Sequence, residues 1–399
     1  MPYEVAIARC NNYNEEQVRA AVEAALQPLG GLARFVQPEQ RVLLKLNLLS
    51  AHPPERAVTT HPAFVKAVVQ LVQARGATAI VGDSPGGILT DAQYRELLET
   101  TGIRQVVRET GCEWLNFNAD TTEITLDRTK VFKRLTTVRA PFEADVIIGL
   151  PKLKTHQFMY YTGAVKLLYG FLPGLVKAEY HLHAGRSQDT FAELLLDIHD
   201  TFPPALTIMD AIVGMEGNGP THGAPRPVGL VLASNNCPAL DFVMTHLIGL
   251  NPQIVPTVRA ALRRGSGPSK LDEITIFGED PRAVRVTGFR HAKTLRAGTG
   301  SARLAAWSSW LFAAWPEVDA GACKLCGTCA NSCPAEAMIY RQGEPPRIEL
   351  SACLHCYCCH ELCPHGAVRI AGPRLRFPTD LGAWCYDVIT KINARRKKK

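Results

Sequence analysis

Cys323-Lys-Leu-Cys326-Gly-Thr-Cys329-Ala-Asn-Ser-Cys333-Pro334 and Cys353-Leu-His-Cys356-Tyr-Cys358-Cys359-His-Glu-Leu-Cys363-Pro364 share one spacing, C-x2-C-x2-C-x3-C-P. Runs of this spacing bind paired 4Fe-4S clusters, and the fourth cysteine of each run ligates the other cluster. Three thiolates on one tight loop can reach three irons of a cubane, and the next turn carries the fourth sulfur toward its neighbour. The expected ligand sets are Cys323, Cys326, Cys329 and Cys363 for cluster 1, and Cys353, Cys356, Cys359 and Cys333 for cluster 2. A zinc ribbon would use two C-x2-C pairs and a long spacer, and a disulfide framework belongs to small secreted scaffolds. Cys358 is surplus: a non-ligand in the leading reading, a substitute ligand or redox-sensitive neighbour in the others.

Outward from these motifs, 399 residues predict two or three domains, because single cores seldom grow past about 250–300 residues. With 46% apolar and 20% charged residues the composition is that of an ordinary globular protein. No apolar run of about 20 residues and no signal-peptide pattern is found. Of thirteen cysteines, the five outside the ligand sets (Cys10, Cys112, Cys237, Cys358 and Cys385) are scattered, so the expected location is cytoplasmic. The net charge of +7 owes six positives to Lys391, Arg395, Arg396, Lys397, Lys398 and Lys399. Such a tail is expected to be a solvated end, and no nucleic-acid partner is expected.

Residues 1–290 alternate short β-branched runs with helical patterns, predicting an α/β domain: a largely parallel sheet with helices on both faces. Strands are expected at Val5–Ala8, Val42–Leu46, Thr78–Val81, Asp145–Leu150, Ala205–Asp210 and Val228–Ala233, with a hairpin near 123–137. Asn14 and Pro62 read as helix starts, and Val65, Val68, Val69 and Val72 as a core stripe. Gly82-Asp83-Ser84-Pro85-Gly86-Gly87 is a glycine-bearing turn after a strand, neither a dinucleotide fingerprint nor a Walker loop. Gly214 to Pro220 reads as a second glycine-rich loop.

Lys45, Asn47, Asp83, Lys152, Lys154, His156, Asp210, Glu216 and Asn218 all sit just after predicted strands, where a parallel sheet gathers them on one rim. With Lys166 they predict a site for a small anion. The plain alternative is a set of solvated lysines around an ordinary βα turn. Residues 291–320 read as a linker with an apolar helix carrying Leu304, Trp307, Leu311, Ala314 and Trp315. That helix is expected to dock on a domain or partner; peripheral membrane contact is not favoured, because a Lys/Arg-rich face is missing. Residues 321–373 form the small α+β ferredoxin-like two-cluster domain, and 374–399 a C-terminal segment whose apolar part, Leu381 to Ile389, packs back.

Leu44-Lys-Leu-Asn47, Thr59-Thr-His-Pro62, Val81 to Gly86, Leu150 to His156, Thr162 to Lys166 and Asp210 to Pro220 resemble the iron–sulfur proteins of the domain of unknown function 362 family. Members commonly join this α/β domain to a two-cluster ferredoxin, and the resemblance implies no particular reaction. Leu46 stands where the family often has Pro, and Leu167 where Asn is usual.

The expected cofactors are two 4Fe-4S clusters, which exchange single electrons. Cysteine-only ligation leaves no open iron, so chemistry belongs to the α/β rim. The leading expectation is an iron–sulfur oxidoreductase or reductive activator that takes electrons from a redox partner protein. In it Lys152, Lys154, His156 and Asp83 are the candidate catalytic residues. Lys45, Asn47, Ser84, Lys166, Glu216 and Asn218 are expected to line the ligand pocket. The competing readings are a non-catalytic electron-carrier subunit whose α/β domain docks a partner or senses a ligand, and a binding or transferase domain with structural clusters.

Overall fold

The computed structural model describes residues 3–87, 89–126, 129, 131–292 and 314–371. Its larger domain is built on a sheet of ten strands. In chain order these are β1 (Tyr3–Arg9), β2 (Arg41–Leu46), β3 (Thr78–Asp83), β4 (Glu113–Asn116), then, past a separate antiparallel hairpin of β5 (Thr121–Thr125) and β6 (Arg134–Val138), β7 (Val146–Leu150), β8 (Lys152–His156), β9 (Tyr160–Thr162), β10 (Leu206–Glu216), β11 (Ala224–Ser234) and β12 (Ile274–Gly278). The main path runs β12-β1-β11-β10-β7-β2-β3-β4, with β8 and β9 branching from β10. Neighbours from β10 to β4 are parallel, as is β1 with β12; β11 runs antiparallel to both β1 and β10.

Strand alternation explains how one sheet makes two cores. Val42, Leu44 and Val81 turn to the layer of α1 (Glu15–Leu26) and α2 (Pro62–Ala74). Leu43 and Ile80 turn to the opposite core, which holds Phe191 of α7 (Gln188–Thr201), Leu240 of α8 (Cys237–Leu247) and Val258 of α9 (Pro256–Arg264). The helix starts are those of the sequence: Asn14 accepts from the Gln17 amide, and His61 from the Ala63 amide ahead of Pro62. Short helices α3 (Asp91–Thr100), α4 (Ile103–Thr110), α5 (Ala164–Leu167) and α6 (Gly174–Ala184) fill the crossovers.

Three expectations change. Gly214 to Glu216 is not loop but the end of β10, paired with β11 through Met215 and Pro225. A Cβ on Gly214 would come within 2.8 Å of the Leu153 side chain, so this glycine serves packing within the sheet. Lys152 to His156 is likewise a strand and wholly buried, not a loop on an open rim. Trp315 belongs to strand β13 (Trp315–Val318), which pairs with β16 (Val368–Ala371), so the small module begins before residue 321 and Trp315 leaves the expected helix. The remainder of that helix (Leu304, Trp307, Leu311) and the segment 374–399 lie outside the described residues.

The small module is internally repeated. Besides β13 and β16 it holds β14 (Met338–Ile339) against β15 (Arg347–Ile348), and helices α10 (Thr328–Asn331) and α11 (Cys358–Glu361). Left-handed backbone recurs at matching motif positions: Leu325 (φ 55°) with His355 (57°), Gly327 (70°) with Tyr357 (62°), and Glu336 (50°) with Gly366 (62°). Backbone of this kind costs a non-glycine residue about 1–2 kcal/mol, and it folds each loop around its thiols.

Candidate iron–sulfur site and the α/β rim beneath it

The first loop and its partners enclose a cavity lined by Cys323, Cys326, Cys329 and Cys363, with Val318 and Val368 as its apolar floor. Cys363 therefore lies with the thiols of the other motif. On the other side, Cys333 is an electrostatic neighbour of both Cys353 and Cys359, and Cys356 completes that group. Four thiols in each group are the donor set of a 4Fe-4S cluster. Among the described residues no three Cys, His, Asp or Glu groups converge tightly enough for a single metal ion.

The two groups differ in exposure. In the first, Cys326 is exposed and Cys323 half-buried while Cys329 and Cys363 are buried; in the second, Cys333 is half-buried and Cys353, Cys356 and Cys359 are buried. Burial pushes the Cys329 thiol up to about 11, with Cys363 adding to it. Such thiols stay protonated until a metal displaces the proton. Cys358 is buried against Cys356, with Lys166 and Tyr169 of the larger domain as electrostatic neighbours.

Helix α11 is what brings the second motif onto the α/β domain. Thr221 donates to the Glu361 carbonyl at 2.9 Å, and His222 Nε2 lies 3.1 Å from the His360 carbonyl. Arg186 donates to the Cys353 carbonyl at 2.7 and 3.1 Å. The Glu361 carboxylate enters the rim and lies 3.6 Å from His156 Nε2. His156 Nδ1 accepts from the Phe158 and Met159 amides at 3.0 and 3.2 Å, so the ring proton is on Nε2, facing Glu361. Burial, and then the charge of Lys166, lower His156 to about 4, leaving it neutral. Although burial opposes it, hydrogen bonding to His156 and the Lys166 charge hold Glu361 ionised, well below the usual carboxylate range.

Beneath this contact lies the point where strand order reverses, between β2 and β7, the place where open α/β sheets bind ligands. Its charged residues fall into two sets. Lys45 is bound to Asp83 at 2.5 Å, whose other oxygen accepts from the Leu48 amide at 2.6 Å. Lys152 is bound to Asp210 at 2.7 Å and to the Tyr13 hydroxyl at 2.6 Å; the Tyr13 hydroxyl and the His61 amide complete Asp210. These four expected ligand groups are therefore consumed by one another. Ser84 is also engaged, with Asn118 and the Leu172 carbonyl, and takes Lys177 on its hydroxyl. Glu216 pairs with Arg290, and Asn218 accepts from Gln157 at 3.1 Å and presents its carbonyl to His360.

Lys154, Lys166 and His156 form the second set. Lys154 is buried, its ammonium bound among the described residues only to the Val58 carbonyl, at 2.7 Å, and burial lowers it to about 7. Lys166 lies 5.8 Å from the centre of the Tyr169 ring and has no carboxylate at ion-pair distance among the described residues. Nearby, Asn47 Oδ1, Thr59 Oγ1 and His181 Nδ1 are buried without a hydrogen-bond partner among the described residues. Orphaned polar atoms of this kind call for water or a ligand. His181, Glu361, Tyr13 and Arg186 were not among the residues picked from the sequence. Only Glu361 carried a signal, as an acid lodged between two expected ligands.

Two family models match the chain: a domain of unknown function, number 362, over residues 42–246, and a 4Fe-4S dicluster domain over residues 316–364. A thylakoid-associated protein of Synechocystis is 37% identical over 300 residues, covering 74% of this chain and 89% of the relative. Among solved structures, the lactate racemase apoprotein of Thermoanaerobacterium thermosaccharolyticum aligns with a TM-score of 0.36 at 11% identity, over 54% of this chain and 51% of that one. The chain thus spans about half the length of that structure.

Proposed function

Because the chain belongs to the domain of unknown function 362 family and carries a 4Fe-4S dicluster domain with an electron-transfer role, we propose that it is an oxidoreductase or reductive activator. Its substrate in this reading is a small anion, or an anionic cofactor held by a partner, bound at the α/β rim. Two bound 4Fe-4S clusters, held by the two sets of four cysteines, supply one-electron transfer. The exposed first loop around Cys326 receives a redox partner protein. The covered second loop faces the rim, where Lys154 and Lys166 neutralise the ligand and the neutral His156 offers its Nε2–H as a hydrogen bond. Lys45, Asp83, Lys152 and Asp210 act as the frame that sets the position of Lys154, a reassignment of the roles expected for them.

The observation that carries this reading is the seating of α11: the same four-residue helix contributes Cys359 to the second group and Glu361 to the rim. The compartment we propose is the reducing cytoplasm, because so many unpaired thiols must stay reduced. Among the described residues no helix is long and apolar enough to cross a membrane. Association with a membrane surface is the alternative, given the name of the Synechocystis relative.

Stopped-flow oxidation of the anaerobically reconstituted and then reduced protein, with and without a panel of small carboxylates and phosphates, tests the proposal. Faster or slower oxidation of the reduced protein with one anion, abolished in Lys154→Gln, is the expected result. A non-catalytic electron carrier is favoured by one observation, the mutual consumption of Lys45 with Asp83 and Lys152 with Asp210. Kinetics indifferent to every anion would decide for that carrier.

A further inference from the structure

The larger domain presents two cations to the second cysteine motif, and neither has a carboxylate at ion-pair distance among the described residues. Arg186 stands in the turn between α6 and α7, and its guanidinium spans the Cys353 carbonyl at 2.7 Å and the Ser351 carbonyl at 3.4 Å. Lys166 approaches from α5, and its electrostatic neighbours across the contact are Glu361 and Cys358. Arg186 is exposed but tied to the Cys353 carbonyl, and half-buried Lys166 shares its charge between the ionised Glu361 and the thiols of the loop. A 4Fe-4S centre held by four thiolates is negative, and gains a further negative charge on reduction.

The first motif differs: Asp319, four residues before Cys323, receives the Gly321 and Ala322 amides at 3.0 and 3.2 Å and is paired with Arg369 at 2.6 Å, so the pair brings no net charge. The exposed Lys324 and Cys326 stand in water, which screens charge. Burial alone would make reduction harder at the second site, since it penalises added charge. The positive charge of Arg186 and Lys166 acts against that penalty.

We propose that Arg186 and Lys166 are positioning residues whose positive charge stabilises the reduced state of the centre held by Cys353, Cys356, Cys359 and Cys333. The centre that faces the α/β domain then has the higher reduction potential of the two, and electrons are drawn inward. Each reduction takes one electron from the redox partner at the exposed edge; no bond is made or broken and no proton is moved by these residues. The inference rests on the ligand sets proposed above; Lys166 also belongs to the proposed anion site, whereas Arg186 is separate from it, so Arg186 tests the inference independently of that site.

Redox titration of the full chain followed by electron paramagnetic resonance resolves the two centres and tests this directly. The wild type is expected to show two titrating signals. In Arg186→Gln and in Lys166→Gln one of them, the higher, shifts to lower potential while the other stays in place; Arg186→Lys restores it. The two variants approach from different elements, so a failure of one to fold leaves the other to decide. Signals that shift together, or an upward shift, or no shift in either variant would overturn the inference. A wild type with a single titrating centre would remove the ligand sets and the inference with them.

Discussion

In the first cysteine loop, left-handed backbone at Leu325 and Gly327 wraps the chain around Cys323, Cys326 and Cys329, and water lies on the outside. The second loop repeats that backbone at His355 and Tyr357, with the α/β domain on its outside instead. Tyr357 tolerates the conformation that its counterpart Gly327 adopts freely because its surroundings hold it: the hydroxyl donates to the Ala314 carbonyl at 2.9 Å. One motif has thus been used twice, once as a contact for something outside and once as a plug in the larger domain. The difference lies in what each loop touches, not in its spacing.

The comparison breaks most severely if the fourth cysteines do not cross over. Cys363→Ser is expected to lose about half of the iron and acid-labile sulfide, and the lost centre is the solvent-facing one. Loss of the buried centre alone would mean that each motif serves itself.

A second prediction contrasts the closed ion pairs of the rim with its open lysine. Asp210→Ala leaves Lys152 charged and buried, and should destabilise the chain by about 3–5 kcal/mol in chemical denaturation. Lys154→Met, which removes a cation with no carboxylate to abandon, should change stability by less than about 1.5 kcal/mol. Similar losses in both would make Lys154 part of the frame.

The rim should also report its histidines through pH. His61 and His156 are each lowered to about 4, chiefly by burial. The unfolded chain takes up their protons near pH 6.5, before the folded one does, so stability is present above that pH and is lost as pH falls toward 4. At pH 5 a fully neutral-buried histidine of this kind accounts for about 2 kcal/mol relative to pH 8. His61 retains some contact with solvent, and its share is smaller. Denaturant titrations at the two pH values measure the slope, and His156→Gln should flatten it.

The smallest effect concerns the repeat itself. Glu336 is exposed and left-handed where the second half has Gly366. Glu336→Gly should raise stability of the module by about 1 kcal/mol, read from its thermal transition, whereas Gly366→Ala should lower it.

The sequence made the cysteine pattern, the helix starts at Asn14 and Pro62 and the core strands readable, because each depends on neighbours within a few residues. The rim was only half readable. That Lys45, Asp83, Lys152 and Asp210 follow strands could be seen, but not that Lys45 would meet Asp83 or Lys152 meet Asp210, since those pairs form across the sheet between distant segments. Gly214 reads as a loop residue because glycine breaks strands, and the Leu153 side chain packed over it explains its place at the end of β10. Trp315 was drawn into a helix by its spacing from Trp307 and Leu311, while its pairing with Ala371 is a contact no local pattern encodes. The docking of α11, through Thr221, His222 and Arg186, falls in the same class.

Hydrogen–deuterium exchange on the anaerobic, iron-loaded full chain tests the seating of the second loop most directly. Peptides covering residues 355–363 should exchange markedly more slowly than those covering 325–333, and Thr221→Ala combined with Arg186→Gln should erase much of the gap. Equal exchange in the two loops of the wild-type chain would mean that the second motif is as open as the first, and that the α/β domain does not cover it.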